Sequence, residues 1–258
     1  MNLRRRIQDS LFNRARLFVR RRQMADLAHE LGVRGFAATD LETLQTLASV
    51  KAALLKPVDL VVDVGAHTGR FVVPAMQVLG ARKALCFEPN ANLHPELRAA
   101  LRGVDADVRG CALAEKSGSL EFHVHADSEM SSLLPADKEV MKRDFAFDDI
   151  SRMSDVRVRV STLDEELAGV LQPNQNFFLK IDTQGNEFSV LRGAGNSLRA
   201  CDGVLLEYMF TTPYVGQASF AEMVSAMHAL GFRCVGALHI LRRPSWRISG
   251  VDFLFLRD

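Results

Sequence analysis

From Pro57 onward, short apolar runs alternate with amphipathic stretches, and this alternation limits the possible folds more than any other feature of the chain. The apolar runs have the length of buried strands, and the stretches between them repeat their apolar residues at helical spacing. Strands are predicted over residues 59–64, 83–87, 108–112, 119–125, 156–160, 176–181, 203–207, 232–236 and 251–256. Helices are predicted over about 68–79, 95–101, 187–191 and 219–230, and a further helix starts at a capping box formed by Thr162 and Glu165. The pattern predicts an α/β fold with a mostly parallel central sheet, helices on both faces and a closing antiparallel strand pair.

Amino-acid composition distinguishes an N-terminal segment from the rest of the chain. Residues 1–56 are predicted to be helical, and residues 1–22 hold eight arginines against the single Asp9, a local net charge of +7. We therefore expect a helical N-terminal segment over 1–56, with a basic leader over 1–22, ahead of one domain over 57–258. Residues of about 126–155 are polar and irregular in pattern, and we expect them to form an insertion that acts as a lid over one end of the sheet.

Charge and cysteine content exclude several classes of protein. The net charge of +1 gives no global field for a nucleic acid, and the four cysteines form no C-x-x-C pair of the kind that binds zinc. No apolar stretch is long enough to cross a bilayer, and the leader lacks the apolar block of a secretory signal, so we expect a cytoplasmic protein. For the leader, packing on the core, a homodimer contact and peripheral contact with an anionic membrane all stay open. Nucleic-acid binding is not expected, because no aromatic residues are interleaved with the arginines.

The most informative motif is the run Val62–Gly69, with the sequence VDVGAHTG. A buried strand runs into Asp63, the chain turns through Gly65, and a helix begins beyond Gly69. Free backbone amides at such a turn bind an anionic group of a ligand. The two glycines do not have the spacing of a dinucleotide-binding G-x-G-x-x-G, and the carboxylate before them would repel a phosphate but suits the ammonium of a bound amino acid. Adenosylmethionine has such an amino-acid end; the alternative is an ordinary strand–turn–helix of an unrelated α/β fold.

Two further carboxylates follow predicted strands. Glu88 ends the second strand, 25 residues after Asp63, where an acidic side chain accepts hydrogen bonds from ribose hydroxyls. Asp182 ends the apolar run 177–181 and would lie at the same edge of the sheet, able to stabilise a sulfonium or to take a proton from an acceptor. The alternative for Asp182 is a helix-capping role. Lys180, two residues earlier, either points to the opposite face or pairs locally.

Together these motifs resemble the FkbM family of methyltransferases. The resemblance covers roughly residues 58–256, in the family's order. The matching segments are the run 62–69, Phe87-Glu88-Pro89, the runs 130–135 (MSSLLP), 161–165 (STLDE), 179–194 (LKIDTQGNEFSVLRGA), 206–208 (LEY), 213–217 (PYVGQ) and 251–255 (VDFLF). The resemblance implies a Rossmann-like class I methyltransferase fold, S-adenosyl-L-methionine as cofactor, and O-methylation of a sugar, a glycan or a natural product. Nothing functional carries over to the N-terminal segment.

Site residues follow from the resemblance position by position. The methionine part of the cofactor is expected on the glycine turn, the ribose at the end of the second strand, the adenine after the third strand and the reacting methyl near Asp182. The cofactor-binding residues implied are Asp63, Gly65, Ala66, His67, Thr68, Gly69, Glu88, Pro89, Cys111, Ala112 and Asp182.

Methyl transfer to a hydroxyl also needs a group that takes the proton. Asp182 is the first candidate for this base, Glu207 at the end of the next strand is the second, and His125 beside the insertion is the third. Asp182 and Glu207 would instead be the ligands if the enzyme used Mg²⁺, which is not the favoured interpretation. Candidate acceptor contacts are Ser131, Ser132, Glu187 and Tyr214. N-methylation of a small molecule or peptide, and a non-catalytic cofactor-binding module that acts through the leader, remain as alternatives.

Overall fold

A computed structural model describes residues 22–33, 41–54, 56–145, 154–172, 174–242 and 247–257. Residues 22–31 are helical. The helices that follow are α1 (Leu41–Ala53), α2 (Val72–Leu79), α3 (His94–Ala100), α4 (Lys138–Phe145), α5 (Leu163–Leu167), α6 (Glu187–Arg192) and α7 (Phe220–Ala229). The strands are β1 (Leu60–Val64), β2 (Lys83–Phe87), β3 (Ala106–Arg109), β4 (Ala112–Leu113), β5 (Gly118–Val124), β6 (Ser154–Ser161), β7 (Phe177–Ile181), β8 (Cys201–Met209), β9 (Phe232–Arg242) and β10 (Ile248–Arg257). Short 3₁₀ turns lie at Ala91–Leu93, Ser128–Met130 and Ser197–Ala200.

The central sheet has seven strands in the order β3-β2-β1-β7-β8-β10-β9. The first five of these strands pair in parallel, and β10 runs antiparallel to both β8 and β9. The predicted mostly parallel sheet with a closing antiparallel part is confirmed, and its strand order is that of the Rossmann-like fold that the sequence resemblance implies. The strand order reverses between β1 and β7, which places a crevice at their carboxyl ends.

Both faces of this sheet are covered, because its strands carry apolar side chains on both sides. The completely buried Val62 and Val64 face a layer formed by α5, α6 and α7. The neighbouring Val61 faces the opposite layer, formed by α1, α2 and α3. Helix α1 contributes three fully buried side chains to this second layer: Leu44, Leu47 and Val50.

A second sheet of three strands, in the order β4-β6-β5, lies beside the first. Its own small core contains Phe122, Val158 and Val160. The strand predicted over 108–112 is in fact divided between the two sheets, since β3 ends at Arg109 and β4 begins at Ala112. The chain therefore leaves the central sheet close to the two residues predicted to contact adenine.

Residues of about 126–155, predicted to be irregular in pattern, contain a helix, α4. Helix α4 forms there because the side chain of Asp137 accepts hydrogen bonds from the backbone N–H of Glu139 and Val140, and because Met141 is buried. Of the four cysteines, Cys86, Cys111 and Cys201 are buried, whereas Cys234 is exposed on strand β9. Apart from Arg22, the basic leader lies outside the described residues. Within the described ranges, no helix is both long and apolar enough to cross a membrane.

Candidate functional site

A cavity of about 560 Å³ opens at the carboxyl ends of β1 and β7, at the point where the strand order reverses. This volume lies within the range of small-molecule and cofactor sites. Residues at the ends of β2 and β8 and in the loop before β4 complete its inner wall: Phe87, Glu88, Pro89, Cys111, Ala112 and Glu207. Most of the carboxylates that were predicted at strand ends therefore line this cavity.

The turn after β1 is tight. Gly65 has a φ of 83°, and the backbone N–H groups of Gly65 and Ala66 both donate to the carbonyl oxygen of Phe87. A Cβ atom on Gly65 would overlap the carbonyl oxygen of Asp182, because the ends of β1 and β7 approach each other closely here. The absence of a side chain at Gly65 is thus needed for the packing of the two strand ends.

The carboxylate of Glu88, which follows strand β2, holds the turn after β1 by a hydrogen bond. One of its carboxylate oxygens accepts from the backbone N–H of His67 at 2.9 Å and the other from that of Asn90 at 2.7 Å. Burial raises the pKa of Glu88, although both hydrogen bonds favour the ionised form. Each oxygen has a second lone pair, so Glu88 can still accept hydrogen bonds from the hydroxyl groups of a ligand in the cavity.

Apolar side chains line the part of the cavity next to Glu88. Cys111, Ala112, Leu113, Phe122 and Leu133 form this part of the wall. Burial raises the pKa of Cys111 to about 11, so its thiol stays protonated at neutral pH. A flat heterocycle such as adenine fits these surroundings, which offer apolar contacts on several sides.

A buried ammonium lies at the floor of the cavity. Lys180 Nζ is 3.1 Å from Asp182 Oδ2 and 3.5 Å from Asp63 Oδ1. Burial opposes the charge of Lys180, but the two carboxylates outweigh it and raise the pKa of the ammonium. Asp63 has no exposed surface and accepts no hydrogen bond from the part of the chain that the structure describes. Burial raises the pKa of Asp63 to about 6 against the effect of Lys180.

Asp182 and Glu207, at the ends of adjacent strands, have opposite pKa shifts. Burial opposes ionisation of Asp182, but the Lys180 ammonium, together with hydrogen bonds from Gln184 and Lys180, lowers its pKa. Burial, together with the charges of Asp182 and Asp252, raises the pKa of Glu207 well above its usual range. The proton shared by the pair therefore lies on Glu207, and Asp182 is the ionised member.

The segment 128–133 covers one side of the cavity. The hydroxyl of Ser128 lies 2.7 Å from Nε2 of His67, and Glu129 pairs with Arg70 at 2.9 Å. Burial lowers the pKa of His67, so the ring is neutral at physiological pH. Ser128, Glu129, Ser131 and Leu133 line the cavity. This part of the predicted insertion thus lies over the site.

Several residues predicted from the sequence lie behind the cavity wall instead of on it. Asp63 is beneath the floor, Thr68 is hydrogen-bonded to His67, and Gly69 follows them in the same turn. His125 is buried, and its Nδ1 accepts from the backbone N–H of Asp127 at 3.0 Å. The three others, which all contact the turn after β7, are Ser132, Glu187 and Tyr214.

Other cavity residues were not predicted. Gln184 and Asp252 lie in segments that carry the family resemblance, and this was the only sequence signal for them. Thr43 and Thr46 come from helix α1, and His239 comes from β9. His239 Nδ1 is 3.8 Å from Asp252 Oδ2, and burial with the nearby charge of Asp182 raises the pKa of Asp252 to about 6.

Asp182 and Glu207, the two carboxyl groups that would bind Mg²⁺ in the alternative interpretation, already accept hydrogen bonds from neighbouring side chains. Gln184 Nε2 donates to both carboxyl groups, and Lys180 donates to Asp182. Hard cations prefer carboxylate oxygens without such competing donors. Within the described ranges, no group of three or more His, Cys, Asp or Glu side chains has a metal-binding arrangement.

The chain was compared with known families and solved structures. The family described as "Methyltransferase FkbM domain" matches residues 63–234. An FkbM methyltransferase from Methylobacillus flagellatus shares 14% identity with a TM-score of 0.47, over 91% of this chain and 58% of its own length. A putative O-methyltransferase from Klebsiella pneumoniae shares 13% identity with a TM-score of 0.45, over 93% of this chain and 90% of its own. Magnesium protoporphyrin IX methyltransferase from Synechocystis, with bound SAM, shares 12% identity with a TM-score of 0.39, over 90% of each chain. No protein of curated function matches the sequence.

Proposed function

Because this chain belongs to the FkbM family of methyltransferases, we propose that it transfers a methyl group from adenosylmethionine to a hydroxyl of a sugar, a glycan or another small natural product. The observation that carries the choice of a hydroxyl is the carboxyl pair of Asp182 and Glu207, whose pKa values are shifted in opposite directions. Two titratable groups separated in this way supply one ionised base and one neutral acid at the same pH. A hydroxyl needs such a base, whereas a free amine already has its lone pair.

The cavity suits adenosylmethionine in size and in chemistry. Its apolar part, around Cys111 and Phe122, would hold the adenine, and Glu88 would accept hydrogen bonds from the ribose hydroxyls. The ionised Asp182 borders the cavity and offers a negative charge to a sulfonium. Asp63 has two buried oxygens without hydrogen bonds, and it would act on the methionine end through Lys180, 3.5 Å away.

Adenosylmethionine supplies, when bound, a methyl group made electrophilic by the positively charged sulfur. The role of Asp182 is to accept the proton of the acceptor hydroxyl, since it is the ionised carboxyl of the pair. The neutral Glu207 keeps a second negative charge away from Asp182, and the amide of Gln184 bridges the two carboxyl groups. The positive charge of Lys180 stabilises the ionised form of Asp182. Segment 128–133 excludes water from one side of the site.

N-methylation is the second candidate, and a non-catalytic cofactor-binding module is the third. The Asp182–Glu207 pair favours an enzyme over a module, because a binding role alone does not require an ionised base beside a neutral acid. The basic leader keeps its predicted roles as a dimer contact or a peripheral membrane contact, and these are independent of the chemistry.

The first test is titration calorimetry of the full chain with S-adenosylhomocysteine. Micromolar binding supports the cofactor, and it is followed by incubation with adenosylmethionine and panels of sugars, glycans and amines, read by the mass gain of one methylene group. Methylated amines without methylated alcohols would favour N-methylation. A folded protein that does not bind S-adenosylhomocysteine would refute the cofactor assignment.

Asp182→Asn is the matched variant, because it keeps the size of the side chain and removes the base. It should bind S-adenosylhomocysteine within a few-fold of the unmodified chain and lose at least about 100-fold in turnover, the usual contribution of a general base. Turnover near that of the unmodified chain would reject Asp182 as the base.

A further inference from the structure

The turn between β7 and α6 contains a strained residue, Gln184. Its φ is 56°, in the left-handed region that residues with a side chain rarely adopt. Such backbone strain persists only where the surroundings hold it, and it is concentrated at functional sites. Gln184 also lines the cavity. The surroundings of this residue therefore indicate what the strain is used for.

The backbone of the turn is held from two sides. On one side, a single carboxylate oxygen of Glu187 accepts from the backbone N–H of Thr183 at 2.9 Å and from that of Gly185 at 3.0 Å. On the other side, the hydroxyl of Ser132 donates to the carbonyl oxygen of Gln184 at 2.7 Å. The ring of Tyr214 packs so closely on Gly185 that a Cβ there would meet it at 2.9 Å.

The side chain of Gln184 joins the two carboxyl groups of the site. Its Nε2 donates to Asp182 Oδ1 at 2.9 Å and to Glu207 Oε2 at 2.7 Å, which uses both of its hydrogens. Its Oε1 lies 2.9 Å from the hydroxyl of Tyr214, and this hydroxyl is also 3.0 Å from the carbonyl oxygen of Met130. The amide is thus bonded both to the carboxyl pair and, through Tyr214, to the segment over the cavity.

The charge of Asp182 sets the orientation of this amide. Lys180 lies 3.1 Å from Asp182 and keeps it ionised, so the group that faces Asp182 Oδ1 has to be a donor. The reversed orientation would place the carbonyl oxygen of Gln184 against an anion and leave the NH₂ group facing Tyr214. In the orientation that Asp182 sets, the tyrosine hydroxyl lies beside two acceptors, the oxygens of Gln184 and Met130, and donates its single proton to one of them at a time.

We propose that Gln184 is the positioning residue of this site. Its side-chain amide holds Asp182 and Glu207 at a fixed separation, and the residue is connected to the segment over the cavity through Tyr214, which contacts the amide oxygen, and through Ser132, which donates to the backbone carbonyl. Without the amide, two neighbouring carboxyl groups are free to rotate apart or to bond each other directly. Ser132 and Tyr214, predicted from the sequence as acceptor contacts, then act on the carboxyl pair through Gln184. This inference rests on the proposed function, because it assigns a purpose to the carboxyl pair.

The test uses two cofactor analogues, so no acceptor has to be known. Sinefungin carries an amine in place of the reacting S-methyl group, whereas S-adenosylhomocysteine carries no charge at its sulfur. A correctly placed Asp182–Glu207 pair should bind sinefungin more tightly, and the ratio of the two affinities, measured by titration calorimetry on the full chain, reports the placement.

Gln184→Met keeps the length of the side chain and removes all three hydrogen bonds. We expect the affinity ratio to fall at least tenfold while the affinity for S-adenosylhomocysteine changes less than threefold. Tyr214→Phe, which frees only the amide oxygen, should lower the ratio about threefold and guards against misfolding of the first variant. Once an acceptor has been found, Gln184→Met should lower kcat at least tenfold with little change in the KM for adenosylmethionine.

Gln217→Met is the matched control. Like Gln184, Gln217 uses its side-chain amide as a hydrogen-bond donor. Its acceptor is the backbone oxygen of Met209, at 2.8 Å, and Gln217 does not line the cavity. It should lower Tm without changing the affinity ratio. An unchanged ratio in both Gln184→Met and Tyr214→Phe overturns the positioning role and leaves the proposed function intact. An unmodified chain that binds neither analogue refutes the proposed function, and the positioning role with it.

Discussion

Replacing Gly65 by alanine tests whether the glycine turn is shaped by packing between strand ends or only by backbone conformation. The added Cβ would overlap the carbonyl oxygen of Asp182, a backbone atom that cannot turn away. The left-handed backbone of alanine costs about 1–2 kcal/mol. Overpacking of a rigid neighbour adds about 1–3 kcal/mol, so the free energy of unfolding should fall by about 2–5 kcal/mol.

Gly103→Ala is the control for the backbone term. Gly103 has a φ of 78°, close to the 83° of Gly65, but no atom lies within 4 Å of the place that its Cβ would take. It should lose only the first contribution, about 1–2 kcal/mol. The difference between the two variants isolates the overlap with β7.

Urea unfolding and thermal unfolding, both followed by circular dichroism, measure this difference. We expect Gly65→Ala to unfold with a Tm roughly 2–12 °C below that of Gly103→Ala, from the usual relation between unfolding free energy and Tm in a chain of this size. Gly65→Ala should also lose at least tenfold in affinity for S-adenosylhomocysteine, because Gly65, Ala66 and His67 line the cavity and the turn that carries them would be displaced. Equal stability and equal affinity in the two variants would show that β1 and β7 do not meet as described.

Three further predictions concern the buried charges. Glu207→Gln should change the free energy of unfolding by less than about 1 kcal/mol at pH 7 in urea titrations, since amide replaces a carboxyl that is already neutral. Asp182→Asn should cost about 3–5 kcal/mol in the same titrations, because it removes one of two partners of the buried Lys180; equal costs for the two variants would contradict the assigned protonation. Burial raises the pKa of Glu187 to about 7, so its contribution to stability is complete below its unfolded pKa and is lost as pH rises through about 7. Glu187→Gln should therefore flatten the fall of Tm between pH 5 and pH 8, and an unchanged slope would mean that Glu187 titrates normally.

Much of the fold was predictable because local patterns determine it. The apolar runs at 60–64, 83–87 and 177–181 are strands buried on both faces, and the last two of them are followed directly by a carboxylate, Glu88 and Asp182. Since the carboxyl ends of parallel strands meet at one edge, Glu88 and Asp182 were expected near each other without any coordinates. Both line the same cavity.

What the sequence could not predict depends on contacts between distant segments. Thr46 is a polar residue on an otherwise ordinary helix, and only the packing of α1 on the sheet brings it to the cavity. Of the two alternatives for Lys180, the structure shows the local pairing, with Asp182, but its second partner Asp63 is on another strand. His125 directly follows strand β5 and was a candidate base. Its ring nitrogen Nδ1 instead accepts a hydrogen bond from the backbone N–H of Asp127.

The position of β10 has a consequence for how the molecule is made. This strand, Ile248–Arg257, pairs on one side with β8 and on the other with β9, although both precede it in the chain. During synthesis, β8 and β9 emerge from the ribosome before the strand that has to come between them. The gap is closed only when residue 257 is available, and such non-local pairing is slow. A fragment that stops at residue 234, where the family match ends, would leave β8 with an open apolar edge and should aggregate instead of folding.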